Sequence, residues 1–408
     1  MTSLIVKRLG HHGDGIAKGP NGDIFAPYVL PDEEIDGDIE GGRISIPRVL
    51  TASADRVKAP CSHFKSCGGC ALQHASDGFL ADWKIQLIRS ALAAHDIEAA
   101  FRPIATSSPK TRRRANLAGR RTKKGALVGL NGKASNTILP IPNCTLLHPD
   151  ILAAIPVFEE LTVLGASRKN TIGIAVTLSE NGLDVDLQGV KPADGPLLAT
   201  LGGFCETHRL ARLSWNSDVI AQRVAPLQIF GTTAVIPPPG AFLQATQQGQ
   251  SALTDAVNEI VKSASRVVDV FAGCGTFSLP LAQNATVHAV EGEETLLAAL
   301  EHGHRTNPDL NPLTTEVRDL FRRPLLAAEL NKFDAVVIDP PRAGAKAQTA
   351  ELVKSGITKI AFVSCNPITF ARDAAVLIEG GFQIDWIKPI DQFRWSPHVE
   401  LVAAFSRN

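Results

Sequence analysis

The sequence lacks the features that would place the protein in a membrane or a secretory pathway. No apolar run approaches the roughly 20 residues that a membrane-spanning helix needs. The N-terminus, Met1 to Lys7, has no basic region followed by an apolar core. We therefore expect a cytoplasmic protein without a membrane partner. In that reducing compartment, seven cysteines are more typical of metal ligands or a catalytic thiol than of a disulfide framework.

An excess of charge of either sign is also missing, because 41 Lys and Arg residues balance 41 Asp and Glu residues. An evenly neutral surface would argue against a nucleic-acid partner, but the charge is concentrated locally. Residues 102–133 hold ten basic and no acidic residues, whereas residues 32–40 hold six acidic and no basic ones. The ten are Arg102, Lys110, Arg112, Arg113, Arg114, Arg120, Arg121, Lys123, Lys124 and Lys133. This basic segment predicts contact with a phosphate backbone; a solvated surface is the alternative.

The length of 408 residues is enough for about two or three domains. Residues 1–52 alternate short apolar runs with turn signals such as Asn21-Gly22, which predicts a small β-barrel. The run Pro237 to Gly240 precedes a regular alternation of apolar strands and helices. We predict a β-barrel at 1–52, a central α+β RNA-binding domain at 53–236, and a Rossmann-like α/β domain at 237–408.

Four cysteines outside the C-terminal part form a candidate metal site. Cys61, Cys67 and Cys70 lie close together, with Gly68-Gly69 between the last two, and the next cysteine is Cys144. Four thiolates suit either a [4Fe-4S] cluster or a structural zinc ion, and their spacing does not separate the two. The basic segment lies between the third and fourth cysteines, so a closed site would fix that segment in place. We therefore expect a structural rather than a redox role.

A glycine-rich turn follows the apolar strand Val267 to Val270. The turn, Phe271 to Gly275, lets the backbone approach a ligand closely, and the next strand ends in Glu291, whose carboxylate can accept both hydroxyls of a ribose. Together these elements favour a cofactor that contains adenosine. Ser278 stands where the third glycine of a pyrophosphate-binding fingerprint would be. The pattern therefore suits S-adenosylmethionine, which has no phosphate.

Two further strand ends carry reactive groups. One predicted strand ends in Asp339 followed by Pro340-Pro341, whose rings give a rigid surface. Cys365 falls on the turn between another predicted strand and a helix. Ligands of open α/β sheets bind beyond the carboxyl ends of the strands, so this thiol is predicted to face the ligand crevice. The alternative is a buried cysteine that packs as a small apolar side chain.

The C-terminal motifs resemble, in order, those of the RNA 5-methyluridine methyltransferase family. They are Phe242-Leu243-Gln244, residues 269–275, Val290-Glu291, Asp339 to Arg342, Val363 to Pro367 and His398-Val399-Glu400. At the other end of the chain, Gly13 to Ala17, Asn21-Gly22 and Val29-Leu30-Pro31 resemble the TRAM domain, an RNA-binding module similar to an OB fold. The resemblance covers nearly the whole chain and implies a class I methyltransferase fold for its last domain.

The resemblance also implies roles for individual residues. It implies that S-adenosylmethionine contacts Gln244, Phe271, Glu291 and Asp339. It implies that Cys365 is the nucleophile and Glu400 the base; without it, Glu400 would be taken for an exposed carboxylate on the final strand. It implies that Cys61, Cys67, Cys70 and Cys144 hold a [4Fe-4S] cluster. Thr246 and Thr276 depart from the family, which usually has Asn at both positions.

The expected reaction is methylation of uridine C5 in RNA through a covalent adduct between Cys365 and uracil C6. Family members that bear a cluster usually modify ribosomal RNA, so 23S rRNA is the favoured substrate and tRNA the alternative. A protein that binds RNA through an iron–sulfur domain but has lost catalysis is a further alternative. No obligate protein partner is implied.

Overall fold

The structure is a computed structural model that describes residues 3–407. Residues 1–2 and 408, the outermost positions of the first and third predicted domains, lie outside the described residues. The strands of the described part form a five-stranded, a seven-stranded and an eight-stranded sheet, and a two-stranded ribbon. None of the helices within residues 3–407 has the length and apolar character needed to cross a membrane.

Residues 4–51 contain the five-stranded antiparallel sheet, in the order β3-β2-β1-β4-β5. Its strands are β1 (Leu4–Leu9), β2 (Gly15–Gly19), β3 (Gly22–Ala26), β4 (Glu34–Asp36) and β5 (Arg48–Thr51). The predicted turn at Asn21-Gly22 joins β2 to β3, and Gly22 takes the positive φ (+124°) that glycine tolerates. Phe25 of β3 exchanges backbone hydrogen bonds with Gly42 and Ile44, which curls the sheet around its apolar core. Its assignment as a TRAM-like barrel stays a prediction.

The seven-stranded sheet lies in the central part, in the order β13-β12-β11-β10-β7-β8-β9. It follows helix α1 (Asp77–Ala93) and the short strand β6 (Ala105–Thr106). Its elements are β7 (Arg114–Arg121), β8 (Ala126–Asn131), β9 (Ile138–Leu139), α2 (Pro149–Ala153), α3 (Ile155–Gly165), β10 (Thr171–Ser179), β11 (Gly182–Gln188), α4 (Gly195–Gly202), α5 (Phe204–His208), β12 (Arg212–Trp215) and β13 (Asp218–Gln222). Alternating buried residues of β10 pack with Phe158 and Leu161 of α3, so one face of the sheet is covered.

The eight-stranded sheet confirms the α/β prediction for the C-terminal part. Its order is β18-β17-β16-β19-β20-β22-β21-β6, and β16 to β20 run parallel. The elements are β14 (Gln228–Phe230), β15 (Thr233–Val235), α6 (Gln247–Val261), β16 (Arg266–Val270), α7 (Ser278–Leu281), β17 (Thr286–Glu291), α8 (Glu294–Thr306), β18 (Leu313–Val317), α9 (Ala327–Leu330), β19 (Ala335–Ile338), α10 (Lys346–Lys354), β20 (Lys359–Ser364), α11 (Pro367–Glu379), β21 (Gln383–Asp391) and β22 (Glu400–Ser406). The central strands are buried along their length, as expected of a parallel sheet covered on both faces.

Helix α1 and strand β6 lie within the predicted central domain, but α1 packs against helix α11 of the C-terminal part and β6 joins the C-terminal sheet. The side chain of Ser76 accepts a hydrogen bond from the Phe79 backbone N–H and so caps α1. Ile88 and Leu92, four residues apart, are buried in the same apolar cluster as strand β20 and helix α11. Strand β6 pairs in parallel with β21. This docking could not be predicted, because an amphipathic stripe does not reveal its partner surface.

Candidate active site

The carboxyl ends of the parallel strands open onto a cleft of about 640 Å³. All six side chains predicted to bind the cofactor or perform catalysis line it: Gln244, Phe271, Glu291, Asp339, Cys365 and Glu400. Four of them directly follow or end β16, β17, β19 and β20. Gln244 precedes α6, and Glu400 begins the antiparallel strand β22. The topology therefore collects residues from 157 positions of sequence (244 to 400) around one space.

Glu291 is fixed against the glycine turn. One carboxylate oxygen accepts a hydrogen bond from the Gly273 N–H (3.0 Å), and the other accepts one from the Gly292 N–H (2.6 Å). Gly275 has a positive φ (+97°), and an added Cβ would lie 2.9 Å from Leu300, so a side chain is excluded there. These hydrogen bonds hold the Glu291 side chain in one orientation, and its two oxygens keep lone pairs that can accept hydrogen bonds from a ligand.

Two aromatic rings form an apolar wall of the cleft. The Phe271 and Phe321 ring centroids are 5.5 Å apart and their planes are tilted by 54°. Both rings line the cleft, and half of Phe321 is exposed. Such a wall suits a flat ligand group that stacks on or inserts beside aromatic rings.

The loops that carry Asp339 and Cys365 are tied together. Asn366 donates a side-chain hydrogen bond to the Arg342 carbonyl (2.9 Å), and Thr369 donates another to the same oxygen (3.1 Å). Asn366 is also the N-cap of α11, because its side-chain oxygen accepts a hydrogen bond from the Ile368 N–H (3.1 Å). The residue that follows Cys365 therefore fixes both the helix start and the Asp339 loop.

Cys365 lies on the predicted turn and is half-buried, not packed in the core. Burial, together with the nearby carboxylates of Glu400 and Asp339, raises the pKa of its thiol to about 11. The Arg342 guanidinium opposes this rise. In the free protein at neutral pH the group is therefore mainly a thiol. The alternative of a cysteine buried in the core does not describe this position.

Glu400 is buried, with 3% of its surface exposed, so the alternative of an exposed carboxylate is wrong. The first strand residue of β22 points into the cleft instead of toward solvent. Burial, together with the nearby Asp339, raises the pKa of Glu400 to about 8. Asp339 itself has a pKa raised to about 7 by burial. A carboxyl group with a pKa near neutrality is suited to exchanging protons.

Gln392, which sequence reasoning missed, connects two of the predicted site residues. Its side-chain amide donates hydrogen bonds to Glu400 Oε2 (2.5 Å) and to Gln244 Oε1. Its side-chain oxygen accepts a hydrogen bond from the Ala245 N–H (2.6 Å). A single glutamine in a loop has no spacing or periodicity that would mark it, so no sequence signal was available.

The departures from the family at two threonines have different structural settings. Thr246 is the N-cap of α6: its hydroxyl accepts a hydrogen bond from the Gly249 N–H (2.9 Å) and also bonds the Ser107 hydroxyl (2.7 Å). Capping is a role that Ser, Thr, Asn and Asp share. Thr276 lines the cleft beside the glycine turn.

Comparison with known proteins identifies the family. The model of the tRNA (uracil-5-)-methyltransferase family matches residues 237–407. An RNA methyltransferase of Brucella suis is 41% identical over 404 residues, which are 99% of this chain and 97% of that protein. The 23S rRNA (uracil(1939)-C(5))-methyltransferase of Shewanella frigidimarina is 31% identical over 438 residues, 100% of this chain and 96% of that protein. The chain belongs to the RNA (uracil-5-)-methyltransferase family.

This membership makes the protein an RNA methyltransferase that uses S-adenosylmethionine. The crystal structure of Pyrococcus abyssi tRNA (uracil-54, C5)-methyltransferase with S-adenosyl-L-homocysteine matches with a TM-score of 0.76. The match covers 99% of both chains at 22% sequence identity. It shows that this chain and the Pyrococcus abyssi enzyme share one fold along almost their whole length.

The basic segment of this methyltransferase divides into buried and exposed parts. The Arg113 guanidinium is buried and donates to the Gln244 carbonyl (3.1 Å) and to the side chains of Gln247 (2.5 Å) and Gln250 (2.7 Å). Arg114 donates to the Leu243 carbonyl (2.7 Å). These two arginines therefore hold the Gln244 loop and are not free to meet phosphate. Sequence reasoning did not separate them from the exposed cations, because charge density does not report burial.

The exposed part lies on the β7–β8 hairpin. Arg120, Arg121, Lys123 and Lys124 are exposed at or near its tip. Within residues 3–407, the ion pairs closer than 4.0 Å include none of these four cations. Their charge is therefore available to an anionic partner.

The four predicted metal ligands of the methyltransferase line one small cavity. Cys61, Cys67, Cys70 and Cys144 are free thiols around a space of about 20 Å³. Burial raises the pKa of Cys70 to about 12. Within residues 3–407, no three Cys, His, Asp or Glu side chains have the geometry of a formed metal site.

The donor set fits a thiolate-bound group in its chemistry. The Gly69 N–H points at Cys67 Sγ (3.4 Å) and the Leu146 N–H at Cys144 Sγ (3.5 Å), contacts that stabilise thiolates. Apolar side chains of Leu130 and Ile141 complete the lining. The volume is close to that of one water-sized sphere, which favours a single zinc ion, whereas the family resemblance implies a [4Fe-4S] cluster.

Proposed function

We propose that the protein methylates C5 of a uridine in RNA, with 23S rRNA as the favoured substrate, through a covalent adduct at Cys365. The observation that carries the proposal is the meeting of a half-buried thiol and a buried carboxyl in one cleft with the four proposed S-adenosylmethionine contacts. Methylation of a base nitrogen would need no such thiol.

The chemistry assigns a step to each of the two residues. The Cys365 thiol loses its proton to solvent and its thiolate adds to uracil C6, which moves the electron pair of the C5–C6 double bond onto C5 and makes C5 nucleophilic. C5 then attacks the methyl group, whose bond to the sulfonium breaks and leaves S-adenosylhomocysteine. Glu400 takes the C5 proton; the C–H electron pair re-forms the double bond and expels the Cys365 thiolate.

The ionisation states at the cleft support this order of events. The free protein holds Cys365 mainly as a thiol and Glu400 largely protonated, since both pKa values are raised. The sulfonium of S-adenosylmethionine is a cation, and a nearby cation lowers the pKa of thiols and carboxyls. Binding of the methyl donor is therefore expected to favour the thiolate and carboxylate that the reaction needs.

The RNA surface is proposed to be the exposed hairpin tip together with the cleft mouth. The four exposed cations of the β7–β8 hairpin supply charge for phosphate contacts. At the mouth, Arg342 is exposed and donates to His398 Nδ1 (3.1 Å). The target uridine has to leave its stack to reach Cys365, as base-modifying enzymes require.

The four cysteines are proposed to hold a [4Fe-4S] cluster that stabilises the fold next to the hairpin. The bridge between Cys67 and Gly132 connects the cysteine loop to the chain that follows β8. The cluster would cross-link segments that are far apart in sequence. Zinc is the alternative, favoured by the small cavity, and metal analysis of anaerobically purified protein with its absorbance spectrum distinguishes the two.

The test is methylation of two RNAs by the purified protein with S-adenosylmethionine. We expect 5-methyluridine, detected by mass spectrometry of digested RNA, in 23S rRNA fragments and not in tRNA transcripts. If only tRNA is methylated, tRNA is the substrate, as the name of the matching family suggests. No 5-methyluridine in either RNA, with RNA binding retained, would favour the non-catalytic alternative.

A further inference from the structure

Gln392 lies on a loop that is anchored on both sides. Asp391, the last residue of β21, pairs with the buried ammonium of Lys84 in α1 (2.6 Å). Three residues after Gln392, the Trp395 carbonyl accepts hydrogen bonds from the Ala71 and Leu72 N–H groups of the cysteine loop (2.9 and 3.0 Å). The backbone at Gln392 is thus held between helix α1 and the cysteine loop.

The side chain of Gln392 is surrounded closely and is 1% exposed. An added Cβ at Gly249 of α6 would lie 2.6 Å from Gln392 Cβ and 3.0 Å from its side-chain oxygen. Glycine at 249 therefore lets the helix approach the glutamine. The three hydrogen bonds of Gln392 reach Glu400, Gln244 and Ala245, so its amide has one satisfied arrangement.

We propose that Gln392 is a positioning residue: it orients the Glu400 carboxylate toward the reacting C5 and couples that orientation to the Gln244 loop. The inference rests on the proposed function for its catalytic consequence. Glu400 has to be deprotonated to take the C5 proton, and an amide N–H donated to its oxygen stabilises the carboxylate. Without this bond, the buried group would keep its proton more strongly and lose its fixed orientation.

The other polar groups around Glu400 do not take over the role of this hydrogen bond. The ionisable groups that face it are Asp339 beyond β19 and Cys365 beyond β20, and both disfavour a second negative charge. Arg342 acts on Cys365, and His398 lies on the chain just before β22. Among these neighbours Gln392 is the group that donates a hydrogen bond to Glu400.

The first test replaces Gln392 with methionine, which has a similar length but no N–H donor. We expect kcat to fall by about ten- to a hundredfold, the range for losing a hydrogen bond to a charged group. Because proton removal is the affected step, the methylated RNA–protein adduct should accumulate during turnover. The acidic limb of the pH–rate profile should move to higher pH.

Two further variants separate positioning from general stability. Gln348→Met is the matched control: Gln348 is equally buried, but its amide bonds only the Leu325 backbone (2.9 and 3.0 Å). It should leave the adduct level and the pH profile unchanged. Gly249→Ala displaces Gln392 without removing it and should reproduce the Gln392→Met effects in weaker form.

A titration of Glu400 by carboxyl ¹³C NMR measures its pKa without any turnover and so tests whether Gln392 stabilises the carboxylate. Glu400→Gln is used to assign the signal. A higher pKa in Gln392→Met than in the natural protein supports the proposal, and an equal pKa overturns it. If the natural protein forms no 5-methyluridine, the proposed function fails while this titration still reports on Gln392. If the natural protein is active and the adduct level and pH profile of Gln392→Met match those of Gln348→Met, the positioning role is wrong.

Discussion

The methyl-transfer cleft and the cysteine cavity were both predicted from reactive side chains, yet the structure forms them by different means. In the cleft, adjacent parallel strands deliver Phe271, Glu291, Asp339 and Cys365 to one rim. In the cavity, loops from two distant segments bring four thiols around about 20 Å³, without a formed ligand geometry. The backbone hydrogen bonds of the sheet set where these four residues lie, whereas the cysteine loops are expected to take their final geometry from what the thiols bind.

The two regions also touch. The cysteine loop donates two backbone hydrogen bonds to Trp395, in the loop that leads from Gln392 to Glu400. Trp395 packs in an apolar cluster with Leu72 and Leu146, which flank Cys70 and Cys144. The cavity is therefore placed to stabilise the cleft, and the following changes test how far one region depends on the other.

Removing the thiol of the cleft has the largest expected effect. Cys365→Ala should abolish 5-methyluridine formation and leave RNA binding and thermal stability intact, because Cys365 is half-buried and outside the core. Methylation assays, RNA-binding titrations and thermal unfolding measure the three quantities. Retained methylation would contradict the role of nucleophile.

Removing two thiols of the cavity should affect both regions. In the double variant Cys61→Ser with Cys144→Ser, we expect loss of bound iron or zinc, a lower unfolding temperature and reduced activity, because metal binding contributes directly to folding. Metal analysis and thermal unfolding of anaerobic samples measure this. Cys205→Ser is the control, since this buried thiol does not line the cavity and its Sγ instead contacts the Ala221 carbonyl. Equal metal content in the two variants would exclude the four-cysteine site.

Neutralising the hairpin cations should weaken RNA binding without changing the chemistry. For Lys123→Gln with Lys124→Gln, the slope of log K against log salt should fall by about one per lysine that contacts phosphate. Lys262→Gln is the control, because this exposed residue lies between α6 and the start of β16, whereas the cleft lies at the carboxyl ends of the strands. An unchanged salt slope in the hairpin variant would place the RNA elsewhere.

The pH dependence is the smallest expected effect. The pKa of Glu400 is raised to about 8, so its ionised fraction, and with it the release of methylated RNA, should increase as pH rises through that value. Glu400→Gln, which removes the titrating carboxyl, should lose the limb. A flat profile in the natural protein would count against Glu400 as the base.

The sequence was informative where local patterns dictate structure. Continuous apolar runs ending in Glu291, Asp339 or Cys365 predicted both the parallel strands and the common rim, because carboxyl ends of such strands meet at one edge. Long-range packing was not predictable: nothing in α1 indicated its docking on the C-terminal part. Burial was also hidden, so Arg113 was grouped with surface cations and Glu400 looked exposed without the family resemblance. Gln392 acts only through contacts that the fold creates.

The most direct test of the central claim is incubation with 5-fluorouridine-substituted 23S rRNA and S-adenosylmethionine. Fluorine at C5 cannot leave as a proton, so the reaction should stop after methyl transfer with RNA bound to the protein. We predict a denaturation-resistant complex whose mass spectrum places a methylated fluorouridine on Cys365, absent in Cys365→Ala. Formation of 5-methyluridine in unsubstituted rRNA without any trapped complex on the substituted RNA would contradict the covalent mechanism.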